Sequence, residues 1–240
     1  MRMRRKPYAR PELAACSFFA GRPAEFLGRW RESFPNPDAP FEIELGCGKG
    51  GFISKLASQN PDKNFLGIDI KSEVLVLAKR KVEAAYAQAG LAINNIRLMS
   101  QDIERIGDIL DERDPVDCIY INFCNPWSKS GHQKRRLTHT RQLIKYRSFL
   151  KAGGEIRFKT DDDGLFEDSL RYFDLAGFSI SYLTRDLHAD APDWNIETEH
   201  EQMFSQEGIP IKALIAVMNK PPKAEAFLKK GRKEQPASPF

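Results

Sequence analysis

Between Phe41 and Phe158, short apolar runs alternate with amphipathic stretches, and that alternation leaves the chain few folds to adopt. Residues 41–46 read as a strand, and Phe52, Ile53, Leu56 and Ala57 as one face of a helix. A second strand is expected at 64–70. Residues 72–89 predict a long helix that turns Val74, Leu77, Ala78, Val82 and Ala85 inward. Further strands are expected at 96–99, 116–123 and 155–158, the last after a turn at Gly153-Gly154. Strands alternating with helices pair in parallel, with helices covering both faces of the sheet. A helix near 164–176 and apolar runs at 178–183 and 211–218 complete the pattern. A long polar loop, not a helix, separates those two runs, which suits an antiparallel strand at the sheet edge. The expected fold class is α/β: a mostly parallel, seven-stranded Rossmann-like sheet with an antiparallel edge strand and helices on both faces.

The flanks differ in character. Residues 1–40 read as a basic N-terminal extension, in which Phe26, Leu27 and Trp30 recur at the spacing of a short helix before Pro35, Pro37 and Pro40. Residues 41–220 form the expected domain, and the lysine-rich, proline-punctuated tail 221–240 is expected to be disordered. A chain of 240 residues, 41% of them hydrophobic, can bury one sizeable core. Its formal charge of +4 permits a nucleic-acid partner without demanding one. The cysteines Cys16, Cys47, Cys118 and Cys124 show no CxxC spacing, so a reduced, cytoplasmic setting fits better than a disulfide framework or a zinc site. No apolar run is long enough to span a bilayer, and the basic N-terminus lacks the apolar core of a signal peptide. The acidic run Asp161-Asp162-Asp163 fails as a calcium loop, because Lys159 and Leu170 occupy the first and last ligand positions. No metal is expected.

Two segments carry the chemistry. Glu44 to Gly51 follows the first strand and opens the first helix, where glycines let the backbone turn sharply beneath a ligand. Gly46, Gly48 and Gly51 spell the dinucleotide pattern GxGxxG, while Gly46, Gly48 and Gly50 spell the GxGxG of S-adenosylmethionine loops. Asp69 ends the second strand, where an acid accepts hydrogen bonds from ribose hydroxyls; Asp102 follows the third, in reach of an adenine amino group. With Glu44 they make a carboxylate-lined pocket. That suits a sulfonium and an ammonium and would repel a pyrophosphate. The second segment ends the fourth strand: Asn125-Pro126-Trp127, then Lys129, His132, Lys134, Arg135 and Arg136. A rigid aromatic turn suits a flat base, and the cations beyond it suit a phosphate backbone.

Glu44 to Gly50, Asp69, Asn122 to Leu137, Thr160-Asp161, Thr198 to Glu201 and Gly208 to Ile211 together resemble the bacterial tRNA (guanine-N7-)-methyltransferases, over roughly residues 40–220. The resemblance implies a class I methyltransferase that moves a methyl group from S-adenosylmethionine to guanine N7 of tRNA, at guanine 46. It implies cofactor contacts at Glu44, Gly46, Gly48, Asp69, Asp102 and Asn125. Substrate contacts are implied at Lys129, Asp161, Thr198, Glu199, His200 and Glu201, and RNA contacts at Gly131, His132, Gln133, Lys134, Arg135 and Arg136. The family carries a catalytic aspartate where this chain has Asn125. Guanine N7 has a lone pair and no proton, so positioning can supply most of the rate without a base. An amide accepts less strongly than a carboxylate, so weaker base binding is expected, not lost chemistry. Three rival readings stay open: a methyltransferase of exocyclic amines, since Asn-Pro-aromatic partly matches that loop; a nicotinamide oxidoreductase; and a tRNA-binding protein with little turnover.

Overall fold

The computed structural model describes residues 6–223. Among these residues eight strands form one sheet: β1 (Phe19–Ala20), β2 (Phe41–Leu45), β3 (Asn64–Asp69), β4 (Ile96–Ser100), β5 (Val116–Asn122), β6 (Leu150–Thr160), β7 (Phe178–Thr184) and β8 (Lys212–Met218), in the order β1-β4-β3-β2-β5-β6-β8-β7. The seven expected strands are all present, and the two-residue β1 adds an eighth by pairing parallel with β4. The parallel order reverses between β2 and β5, on either side of which β3 and β6 lie. β8 enters antiparallel between β6 and β7. β6 is longer than its apolar residues suggested, because Gly153 takes φ +78° and residues 151–154 bulge out of the pairing between Leu150 and Glu155.

Alternation along the central strands divides the core in two. Phe41, Ile43, Leu45, Leu66, Ile68, Ile119 and Ile121 join α4 (Thr140–Tyr146) and α5 (Asp163–Leu175) on one face. Phe65, Leu98, Cys118 and Tyr120 join α1 (Ala9–Ala14), α2 (Gly51–Gln59) and α3 (Ser72–Ala89) on the other. On β2 that second face carries Glu42 and Glu44, both buried. Glu42 is satisfied by Lys63 at 2.9 Å and by the Tyr120 hydroxyl at 2.8 Å. Glu44 is not fully satisfied, and it lies where the strand meets its loop.

The N-terminal segment differs from the sequence expectation. Phe26, Leu27 and Trp30 do not form one helix. They fall in two 3-10 turns, Pro23–Phe26 and Trp30–Ser33, split at Gly28, whose φ of +77° no helix allows. Buried Asp114 causes the break by accepting hydrogen bonds from Gly28 N at 2.6 Å and Trp30 N at 3.0 Å. Trp30 is fully buried and donates its indole N–H to the Ile109 carbonyl, a burial that contributes about 2–3 kcal/mol. The basic segment is thus packed into the same core as the sheet. From residue 224 onward, the tail expected to be disordered lies outside the described residues, as do residues 1–5.

The glycine loop is shaped by what lies beneath it. Gly50 caps α2 at φ +73°, and a Cβ there would fall 2.6 Å from the Ala78 Cβ of α3. Gly67 in β3 leaves room for the Cys47 side chain, which a Cβ would approach to 3.3 Å.

Candidate functional site

Two hollows open at the carboxyl ends of the parallel strands, where this sheet topology leaves a crevice. The larger, about 580 Å3, is bordered by Gly46, Asp69, Gln101, Asp102, Asn125, Trp127 and Arg135. The smaller, about 270 Å3, is bordered by Glu44, Gly48, Asn122, Thr198, Glu199 and His200. Gly46 and Phe123 line both, so the glycine turn and the proline-tryptophan turn face each other across one continuous cleft.

Phe123 is the partition. It has φ +49°, a conformation that costs a non-glycine residue about 1–2 kcal/mol. The His200 ring stacks on it at 5.5 Å with an 18° interplanar angle.

Asp69 fixes the floor of the larger hollow. One carboxylate oxygen accepts from Gly48 N at 3.1 Å, the other from Lys71 N at 2.9 Å, and burial pushes its pKa up. Asp102 caps the turn after β4 by accepting from Glu104 N at 2.9 Å. In the smaller hollow, one oxygen of Glu44 accepts from the Asn122 side-chain amide at 3.0 Å. The other, Oε2, is buried without a hydrogen-bond partner. Desolvation raises the Glu44 pKa to about 7, against only a partial counter-pull from Asn122 and Lys159.

These features fit S-adenosylmethionine. An unpartnered buried carboxylate oxygen asks for a cationic donor, such as the cofactor's ammonium. A Cβ on Gly46 or Gly48 would meet nothing closer than 3.7 Å, so the glycine turn presents bare backbone to the cleft. Of the lining residues, Glu44, Asp69, Asp102, Glu104 and Glu199 outnumber Lys49 and Arg135, an imbalance that disfavours a pyrophosphate.

Not every residue marked in the sequence stands at the cleft. Asn125 is exposed on the rim of the larger hollow, its side-chain oxygen accepting from Trp127 N at 3.0 Å. Lys129 is exposed outside both hollows, and Asp161, half-buried, lies outside them too. Gly131, His132, Lys134 and Arg135 are exposed on the turn Ser130–Arg135, with Gln133 half-buried. The Arg135 guanidinium lies 5.2 Å over the Trp127 ring, and His132 meets that ring edge-on at 5.7 Å.

Two expectations need correction. Arg136 cannot serve as a surface phosphate contact: it is 3% exposed and bound to Asp168 at 2.6 Å and to the Pro126 carbonyl at 2.6 Å. It braces the Asn-Pro-Trp turn from behind. Glu201 cannot meet a base directly, since it is fully buried in a capping box with Thr198 and ion-paired to Lys159 at 2.6 Å. Thr198, by accepting from Glu201 N, starts α7 (Glu199–Gln206), which follows the single turn of α6 (Leu187–Asp190), and leaves Glu199 and His200 at the mouth. Sequence reasoning passed over Asn122, Phe123 and Lys159 as site residues. A lysine in a buried strand was the signal available for the last, since lysine is rarely buried unpaired.

Among the described residues no metal-binding cluster occurs, and no helix is long and apolar enough to cross a membrane. A family profile described as "Putative methyltransferase" matches residues 38–214. Among solved structures, a 16S rRNA methyltransferase shares the fold with TM-score 0.58 at 14% identity, covering 83% of this chain and 95% of its own. An antibiotic-related methyltransferase does so with TM-score 0.55 at 17% identity, covering 79% and 90%. Fold and cleft together define a Rossmann-like, S-adenosylmethionine-dependent methyltransferase. Among curated proteins, the tRNA (guanine-N(7)-)-methyltransferase of Clostridium perfringens strain 13 is 59% identical over 90% of this chain and 99% of its own length. That of Ruminiclostridium cellulolyticum is 60% identical over 90% and 92%. The chain belongs to the tRNA (guanine-N(7)-)-methyltransferase family.

Proposed function

We propose that this protein transfers the methyl group of S-adenosylmethionine to N7 of a guanine in tRNA, with guanine 46 as the position. The observation that carries the reading is the orphaned Glu44 oxygen inside a cleft shared by the glycine turn and the Asn-Pro-Trp turn. When bound, S-adenosylmethionine supplies an electrophilic methyl group on a sulfonium. Glu44 pairs with its ammonium, Asp69 accepts from its ribose, and Asp102 borders its adenine. Gly46 and Gly48 let it approach the backbone. Thr198, Glu199 and His200 border the base, Lys129 and Asp161 orient it from outside the hollows, and Gly131 to Arg135 hold the RNA. No residue has to remove a proton, because guanine N7 carries none.

An exocyclic amine is a poorer acceptor here. Its nitrogen lone pair is delocalised into the purine ring and its methylation must shed a proton, whereas N7 offers a free lone pair and carries no proton. The buried, free thiols of Cys16, Cys47 and Cys118 suit the reducing cytoplasm, where tRNA is also found. Residues 41–220 make up the catalytic unit, with the basic N-terminal segment packed onto it.

The deciding experiment incubates unmodified tRNA with labelled S-adenosylmethionine and analyses the nucleosides. 7-Methylguanosine is expected, whereas an N2- or N6-methylated product, or no product at all, defeats the reading. Asn125→Asp should raise kcat/KM for tRNA roughly fivefold, mainly through KM, by restoring a charged acceptor. A fall instead marks the asparagine as an adapted feature. Arg135→Ala should reduce the slope of log affinity against log salt by about 1. Arg136→Ala should leave that slope unchanged and lower the melting temperature, since it removes the buried guanidinium that binds Asp168 and the Pro126 carbonyl and leaves Asp168 only Arg171 at 3.5 Å.

A further inference from the structure

Lys159 lies on β6 in register with Asn122 of β5, directly behind the cleft. Its carbonyl accepts from Phe123 N at 2.9 Å, so it holds the residue that divides the two hollows. Its side chain runs the other way and is only 3% exposed. The ammonium donates to Glu201 Oε2 at 2.6 Å, Asn195 Oδ1 at 2.9 Å and the Ile196 carbonyl at 3.0 Å. All three protons are spent, and all three partners belong to the approach and first turn of α7. Glu201 is equally committed: it also accepts from Thr198 N at 2.9 Å and from the Asn195 amide at 2.9 Å. The circuit closes where His200, on that same turn, stacks on Phe123.

We propose that Lys159 is a positioning residue for the methyl acceptor: through Phe123 on one side and Glu201 on the other, it fixes where Phe123 and the His200 turn meet, and so the shape of the hollow that the base enters. The inference rests on the tRNA-methylating reading above. Stability alone is a poor reason for this pair, since an apolar pair of similar volume often stabilises a fold as well or better. What an apolar pair cannot supply is direction. Three hydrogen bonds from one ammonium fix where α7 begins, whereas side-chain packing permits it to slide. Burial pulls the ammonium below its usual pKa, and Glu201 pulls in the opposite direction. The small apolar cluster of Leu187, Ile211 and Ala213 packs against Phe123, Trp194 and Phe204, a contact without direction that leaves the setting of this segment to the hydrogen-bonded circuit.

The test compares the wild type with the double variant Lys159→Met/Glu201→Met, which removes both charges and leaves neither uncompensated. The expected result is S-adenosylmethionine affinity within about twofold of wild type, with kcat/KM for tRNA lowered by on the order of ten- to a hundredfold, the cost of misplacing a reacting group by about 1 Å. Hydrogen exchange should quicken at residues 195–204 and not in the glycine loop. Should the double variant fail to fold, Asn195→Leu removes one acceptor from Lys159 and one donor from Glu201 while keeping their ion pair, and should give the same split at smaller size. The proposal is overturned if a folded variant methylates tRNA with wild-type kcat/KM, or if cofactor affinity falls in step with turnover. A wild type that makes no 7-methylguanosine overturns the functional reading, and this inference with it; an active wild type with an equally active variant overturns this inference alone.

Discussion

Asp69→Ala should weaken S-adenosylmethionine binding by on the order of 10²–10³-fold, as measured by titration calorimetry on the free protein. The carboxylate stands at the end of β3, anchored by Gly48 N and Lys71 N, with lone pairs left over toward the larger hollow. Each hydrogen bond from a ribose hydroxyl to a charged acceptor contributes roughly 1.5–3 kcal/mol, and a ribose offers two. Truncation also frees the N–H of Gly48, whose φ of +53° is held partly by that contact, so the turn loses its set. Asp69→Asn keeps an acceptor for Gly48 but lacks the charge, and should fall between alanine and wild type. A change under about threefold in the alanine variant would remove Asp69 from the cofactor site.

Glu44 gives the second large effect, visible through pH. Its folded pKa of about 7 lies above the ordinary 4.5, so the folded protein holds the proton more tightly than the unfolded chain. The stability that follows is complete below about pH 4.5 and is lost as pH rises through 7, at most roughly 3 kcal/mol. Without cofactor, wild type should lose stability between pH 5 and 8 relative to Glu44→Gln, in urea unfolding of the two proteins side by side. A bound ammonium reverses this by giving the carboxylate its missing partner. S-Adenosylmethionine should therefore bind wild type more tightly at pH 8 than at pH 5.5, and that rise should vanish in Glu44→Gln. At pH 8 the variant should bind about 30-fold more weakly, the worth of one buried charge-assisted pair. Parallel affinity curves for the two proteins would show that the orphan oxygen does not face the ligand.

The fold was legible because its signals are local. A buried parallel strand needs a run such as Phe41 to Leu45, and a helix on its face needs apolar residues at intervals like those of Val74, Ala78 and Val82. The loop between them announces itself by glycines. Where the expectation missed, a distant residue decided the outcome. Asp114 broke the helix suggested by Phe26 and Trp30. Gly153 let β6 carry its bulge and continue in place of turning.

The site divides in the same way. Glu44, Asp69, Asp102 and the Asn-Pro-Trp turn could be placed from sequence, since each sits at the end of a strand and the sheet order brings those ends together. The basic run could not be sorted by reading it. Arg135 and Arg136 are neighbours in an unbroken cluster, yet one lies over Trp127 and the other is buried against Asp168. Thr198 and Glu201 stand in a stretch that reads as a polar loop, yet both are buried.

The order of apolar and polar residues along the chain therefore determined the sheet, its helices, the two cleft-forming turns and the acids that line them, because each depends on neighbours within a few positions. Only the tertiary structure decided which charges face solvent and which are used up internally. A guanidinium or a carboxylate goes to whichever opposite charge the fold brings within hydrogen-bond reach, and for Arg136 and Glu201 that partner lies 32 and 42 residues away in the chain.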